Sequence, residues 1–184
     1  MMQKKVQIIS DGSLDLSQEL TKEKDIEVVP FYVSFDSETY QKEMVEVGVR
    51  EFYQEMVDHP TVFPKTSMPS VHDYYEVFEK HAKEQLPVIC ICITRKFSGS
   101  LQSATTAKDM ILEEYPDAQI TVIDSTVNTV LQGLYVLEAC RLRDMGLEYQ
   151  QIVDALLPIR ETGRIFFTIG SIDYLKHGGR IGKL

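Results

Sequence analysis

The sequence predicts an α/β fold, a mostly parallel sheet flanked by helices. Two observations predict it. Val6 to Ser10, Val88 to Thr94 and Ile120 to Ile123 are short, nearly continuous apolar runs, the pattern of strands covered on both faces, and such strands belong to parallel sheets. Around them lie longer stretches with apolar residues at i, i+3, i+4 and i+7, the spacing of one helical face. The alternation of the two is what α/β architecture requires.

Each element follows in chain order. Val6 to Ser10 is rich in β-branched residues and closed by Asp11-Gly12. Asp15 with Gln18 has the spacing of a capping box and predicts a helix start. Ile26 to Phe35 predicts a second strand. The loop Lys65-Thr66-Ser67-Met68-Pro69-Ser70 leads into a helix at Val71, where Ser70 and Asp73 again have capping-box spacing and Val71, Tyr74, Tyr75 and Phe78 mark one face. Val88 to Thr94 is the third strand. Leu101, Ala104, Thr105 and Lys108 then open a helix that continues through Ile111, Leu112 and Tyr115. Ile120 to Ile123 is the fourth strand, and Val127, Val130, Leu131 and Leu134 predict the helix after it. Gly146 supplies its stop signal. Tyr149, Ile152, Val153 and Leu156 predict one more helix, closed at Gly163. Beyond Gly163 the pattern begins again, with Arg164 to Gly170 as a fifth strand and Ser171 to Lys176 as a short helix. The expected organisation is therefore a domain over residues 1–162 and the opening of a second, largely missing domain over 163–184.

Composition narrows the function. With 19 Lys and Arg against 28 Asp and Glu the formal charge is −9, which disfavours nucleic acid and anionic lipid surfaces. No apolar run approaches the roughly 18 residues of a membrane span, so no membrane insertion is expected. The start Met1-Met2-Gln3-Lys4-Lys5 leads into a strand pattern instead of a signal-peptide core, which predicts a cytoplasmic protein. The three cysteines, Cys90, Cys92 and Cys140, sit in apolar contexts and predict reduced thiols. Neither they nor His59, His72, His81 and His177 have ligand spacing, so no metal and no cofactor are expected.

In open parallel sheets the ligand crevice lies beyond the carboxyl ends of the strands. There the sequence gathers hydroxyls: Ser10 and Ser13 around Asp11, Ser98 and Ser100 after the third strand, Ser125 and Thr126 after the fourth, and Thr66 with Ser70 before the helix at Val71. Helix N-termini with such donors suit a carboxylate or a phosphate. The same residue types are the favoured N-caps, and capping alone accounts for most of them. Thr66 and Ser98 stand apart because each lies a residue or more before the expected cap. Asp11 stays open between orienting loop donors and capping locally. Nucleophilic chemistry gains little support. Lys96 occupies the position two before Ser98 where a nucleophile elbow has glycine, and no histidine falls in a neighbouring loop to act as base. Gly178 to Leu184 lacks the spacing and the terminal hydroxyl of a phosphate loop, and Glu113-Glu114 fits a solvated helix face.

The ordered motifs IISDGSLDLS, Pro30-Phe31-Tyr32, KTSMPS, VICICITRKFSGSLQSA, VIDST and YLKHGGRIGK resemble those of the bacterial DegV family over essentially the whole chain. The resemblance implies a two-domain, fatty-acid-binding subunit of a fatty acid kinase, with an acyl chain buried between domains and the carboxylate held by hydroxyls. It places the ligand hydroxyls at Thr66 and Ser98 and a positive charge at Arg180, which could equally serve as a structural pin. It further implies a carrier without catalytic chemistry of its own, whose bound long-chain fatty acid a separate kinase phosphorylates for phospholipid synthesis. Met68, Gly12, Phe97 and Ser100 depart from the usual family residues and leave both hydroxyls intact. A phosphotransferase or hydrolase using the same anion-binding loops is the alternative reading.

Overall fold

The apolar runs of the sequence pair side by side, and the breaks between them fall where the chain loses the ability to continue a ladder. A computed structural model describes residues 6–166, 168, 170 and 172–179. Its strands are β1 (Gln7–Asp11), β2 (Ile26–Val29), β3 (Tyr32–Ser34), β4 (Gln41–Lys42), β5 (Lys65–Ser67), β6 (Val88–Cys92) and β7 (Ile120–Asp124). Its helices are α1 (Gln18–Glu23), α2 (Val49–Asp58), α3 (Val71–Lys83), α4 (Ser100–Glu114), α5 (Thr129–Asp144), α6 (Tyr149–Ile159) and α7 (Asp173–His177), with a tight 3-10 turn at Gly12–Leu14. The described residues form two compact units, one drawn from residues 6–29 and 69–165, the other from 30–68 and the residues beyond 165.

The first unit holds a four-stranded, wholly parallel sheet in the order β2-β1-β6-β7. The predicted α/β class is therefore the observed one. Alternation along each strand divides the core between the two faces. Ile8, Ile89, Ile91 and Ile123 face Tyr135, Val136, Ala139 and Cys140 of α5 and Ile152, Val153 and Leu156 of α6. Ile9, Val88, Cys90 and Cys92 face Tyr74 and Phe78 of α3 and Ala104, Ala107 and Ile111 of α4. Because β2 and β6 lie on opposite sides of β1, strand order reverses between β1 and β6, the place where open parallel sheets generally bind ligands beyond the strand ends.

The second unit carries an antiparallel sheet in the order β4-β3-β5. The single strand expected over Ile26 to Phe35 is two strands in two sheets, because Pro30 has no N–H to donate to a ladder and ends the first of them. The expected loop at Lys65 contains β5, whose Thr66 pairs with Val33. Helix α2 escaped the sequence reading although Val49, Phe52, Tyr53, Met56 and Val57 have helical spacing. Phe52 packs on Phe35 with ring centroids 5.2 Å apart. Phe63 stacks on the His177 ring at 3.8 Å and meets Tyr174 edge-on at 5.0 Å.

Several local expectations hold and others shift. Ser70 and Asp73 form a reciprocal capping box at α3. The cap of α1 is Ser17, which accepts the Leu20 N–H at 3.2 Å, and Asp15 instead takes a left-handed conformation at φ 51°. Gly146 is left-handed at φ 87° and ends the turn after α5, as expected. None of the described residues of Arg164 to Gly170 lies in a strand, and the short helix runs Asp173–His177.

The strand-end loops are held against α5 by a close approach at Gly133. A Cβ there would stand 2.4 Å from the Leu14 carbonyl oxygen and 2.8 Å from Leu16 Cδ2. A backbone oxygen cannot yield, so the strain outweighs the helix propensity gained by alanine. Gly133→Ala is expected to cost about 1–3 kcal/mol, read as a melting temperature lower by roughly 2–4 °C for each kcal/mol in a circular-dichroism melt. An unchanged melting temperature would contradict the tight packing of α5 on the 3-10 turn.

Candidate functional site

At the end of β1 the sequence places a carboxylate where the sheet needs a buried residue. Asp11 is fully buried. Leaving a charge in such a place is costly unless hydrogen bonds replace its water. Its Oδ2 accepts the backbone N–H of Ile93 at 2.9 Å and the hydroxyl of Ser100 at 2.7 Å, and its Oδ1 accepts the side-chain amide of Gln132 at 2.8 Å. The backbone of Ser13 donates as well. Burial pushes the Asp11 carboxyl above its ordinary value, while the bonds from Ser100, Gln132, Ile93 and Ser13 pull the other way. Two backbone N–H groups and an amide can only donate, so the donor set fits the ionised form.

The network spreads to both faces of the sheet. Gln132 Nε2 also reaches Ser10 Oγ at 3.0 Å, and Ser10 donates to the Ile91 carbonyl at 2.9 Å. The buried Gln132 Oε1 has no partner among the described residues. Its amide is turned so that one nitrogen serves two oxygens and an acceptor, not a donor, is left over. Tyr74 OH meets Ser100 Oγ at 2.6 Å and Cys92 Sγ at 3.7 Å. Burial pushes the Tyr74 phenol up, the contact with the Cys90 thiol and then burial push the Cys92 thiol up, and burial pushes the Cys140 thiol up to about 11, which keeps all three neutral near pH 7. All three cysteines are free and buried.

The loop after β6 folds back on itself. The N–H groups of Phe97 and Ser98 both point to the Thr94 carbonyl, at 3.0 and 3.3 Å, and Thr94 N–H bonds to Val127 in the loop after β7. This turn brings Ser98 to the start of α4, where its Oγ accepts the Ser100 N–H at 3.2 Å. With its oxygen so engaged, the Ser98 O–H meets no acceptor among the described residues. Other hydroxyls of this edge are committed locally. Ser125 donates to the Val127 carbonyl, Thr126 donates to the Arg160 carbonyl at 2.8 Å, and Ser70 caps α3. Ser13 and Thr94 accept the N–H groups of Thr129 and Lys96, at 3.4 Å each. Thr126 and Thr129 take left-handed conformations at φ 61° and 52°, a strain of about 1–3 kcal/mol for each β-branched residue at the sheet edge.

Thr66 lies in the second unit, exposed on β5, and its hydroxyl has no hydrogen-bond partner among the described residues. Ser98 is half-buried in the first unit. Arg180 falls outside the described residues. Two cavities lie elsewhere, one within each unit. One of about 550 Å³ is lined by Glu27, Lys80, His81 and Glu84, and one of about 560 Å³ by Asp36, Glu51, Glu55 and His59. Charged and polar groups dominate the first, whereas Phe35, Val47 and Val62 also line the second. Among the described residues no cluster of His, Cys, Asp and Glu is placed to hold a metal ion, and no helix is long and apolar enough to cross a membrane.

A family model described as an uncharacterised protein of the DegV family matches residues 5–184. The chain belongs to the DegV family. Among its DegV relatives is a DegV domain-containing protein of Clostridium perfringens, 31% identical over 177 residues, covering 96% of this chain and 62% of the relative. A stearic-acid-binding protein of Eubacterium ventriosum is similar in structure, with a TM-score of 0.92 and 49% identity over 97% of this chain and 61% of that one. A DegV family protein of Thermus thermophilus, described by its fatty acid binding, gives a TM-score of 0.79 at 30% identity over 97% of this chain and 61% of its own. The chain thus spans 61–62% of the length of these relatives.

Sequence reasoning singled out Thr66 and Ser98 but missed what lies behind Ser98 in this DegV chain. Gln132 carries a signal in the sequence, a polar residue in helical register with Tyr135, Val136 and Ala139. Burial makes the Asp11 effect measurable. An acid whose value is higher folded than unfolded holds its proton more tightly when folded, so stability falls as pH rises from about 3.8 through the raised value. Asp11→Asn removes that contribution. In urea titrations between about pH 4 and 7 the stability of the parent relative to the variant is expected to decline as pH rises. Parallel curves would contradict a carboxyl held up by burial.

Proposed function

We propose that this chain forms part of a fatty-acid-binding carrier. The hydroxyls of Thr66 and Ser98 hold the carboxylate of a long-chain fatty acid, Arg180 adds positive charge near it, and a separate kinase phosphorylates the presented head group. The single observation that carries the reading is the Ser98 hydroxyl, whose oxygen is engaged by the Ser100 N–H while its proton meets no acceptor among the described residues. A donor in that condition at the start of a 15-residue helix is suited to an anion. Support also comes from the likeness to the stearic-acid-binding protein of E. ventriosum at 49% identity.

The energetics favour a carrier. Each acyl methylene removed from water contributes about 0.8 kcal/mol, so the chain supplies the affinity and a few neutral donors need only orient the head group. A phosphotransferase or hydrolase would need a base on Ser98. The one partner of Ser98 Oγ among the described residues is a backbone N–H, so we adopt the carrier reading.

Ser98→Ala and Thr66→Ala each remove one hydrogen bond to a charged group, about 1.5–3 kcal/mol, and are expected to weaken fatty acid binding roughly 10- to 100-fold. Native mass spectrometry of protein purified from a bacterial host checks this. Recovery of the same bound acid at unchanged occupancy from the double variant would overturn the assignment.

A further inference from the structure

We propose that Asp11 is the positioning residue for Ser98, acting through Ser100 to leave the Ser98 hydroxyl proton available to a ligand carboxylate. The inference rests on the reading of Ser98 as a ligand and adds the device that aims it.

One oxygen does most of this. Asp11 Oδ2 accepts from Ile93 N–H, just before the loop that carries Ser98, and from Ser100 Oγ, just after it. The loop is therefore closed at both ends on a single atom, 89 residues away from Ser100 in sequence. Ser100 is itself fully buried and gripped from the other side by Tyr74 OH. With its side chain fixed twice, its backbone N–H, an orphan donor of the first helical turn, is aimed at Ser98 Oγ at 3.2 Å. A hydroxyl that accepts there points its own hydrogen away from the helix.

The charge on Asp11 has a reason in this arrangement. Asparagine could brace the loop with its one oxygen, but its amide hydrogens would then oppose the Gln132 amide that now donates to Oδ1. Gln132 can relieve that conflict by turning its unpartnered Oε1 toward the new amide, at the cost of its bond to Ser10 Oγ. A neutral acceptor would hold Ser100 less firmly, because bonds to an ionised carboxylate are roughly twice as strong. Asp11→Asn should thus fold and yet loosen Ser98.

A double-mutant cycle on this chain, with stearic acid as the probe and native mass spectrometry as the readout, tests the proposal. Ser98→Ala and Asp11→Asn are each expected to weaken binding by about tenfold or more, and the double variant to bind no more weakly than Ser98→Ala within about twofold. A role in folding alone would lower the melting temperature without that coupling. If Asp11→Asn weakens binding as much in the Ser98→Ala background as in the parent, the positioning role is overturned while the ligand role of Ser98 stands. If Ser98→Ala leaves binding unchanged, or the parent binds no stearic acid, the ligand reading itself falls and this inference with it. Should Asp11→Asn fail to fold, Ser100→Ala replaces it in the cycle, with the same coupling expected and full additivity overturning the proposal.

Discussion

A carboxylate sealed inside the first unit sets the terms for everything around it. Asp11 cannot be buried at the end of β1 without several donors, and those donors come from separate places: the residue after β6 at Ile93, the first turn of α4 at Ser100, the first turn of α5 at Gln132, and the turn at Ser13. Each connection that satisfies the charge also fixes a piece of the sheet's carboxyl edge. The helices on the two faces of the sheet are thereby tied together at the end where strand order reverses and away from the apolar cores that hold the rest.

What the sequence made legible follows from which forces are local. Continuous apolar runs such as Val6 to Ser10 and Val88 to Thr94 report burial on both faces without knowledge of their neighbours, so the central strands and the α/β class could be read directly. The caps could be read only where side chain and helix start were adjacent, as at Ser70. Asp15 misled because a left-handed backbone moved the helix start to Gln18 and the cap to Ser17. Pro30 was readable in principle, as a residue with no donor for a ladder, but the apolar run across it concealed that the chain changes sheets.

The misreading of α5 comes closest to the site. Its apolar positions Val130 and Leu134 are more than half exposed, at 57% and 56%, whereas Gln132 is fully buried beside Tyr135 and Val136. A hydrophobic stripe therefore pointed to the wrong face at this end of the helix, because the buried position there is filled by a residue chosen for its amide. The polar network demanded a donor for Asp11 and Ser10 and overrode the pattern. Thr66 and Ser98 could be picked out as candidates because they lay outside the expected caps. Asp11, Ser100 and Tyr74 could not be joined, since their association spans 89 residues for one pair and 26 for another.

For the fatty acid proposed as ligand, whose affinity would lie in its tail, neutral donors backed by a hidden charge make physical sense. A lysine or arginine in direct contact would tighten the head group but would also hold it against release, whereas a hydroxyl gives direction with little attraction at a distance. Direction is the quantity at risk, because a serine hydroxyl rotates freely and can satisfy itself on nearby carbonyls, as Ser125 and Thr126 do in this chain. Ser98 escapes that fate only while something occupies its oxygen and keeps its loop from closing on its own proton. The Ser100 N–H occupies the oxygen, and the bonds from Ile93 and Ser100 to Asp11 hold the loop. A negative charge near an anion site, which looks contradictory in sequence, is then consistent with anion binding: it is spent on donors that face inward, and the outward hydroxyl is left unspent.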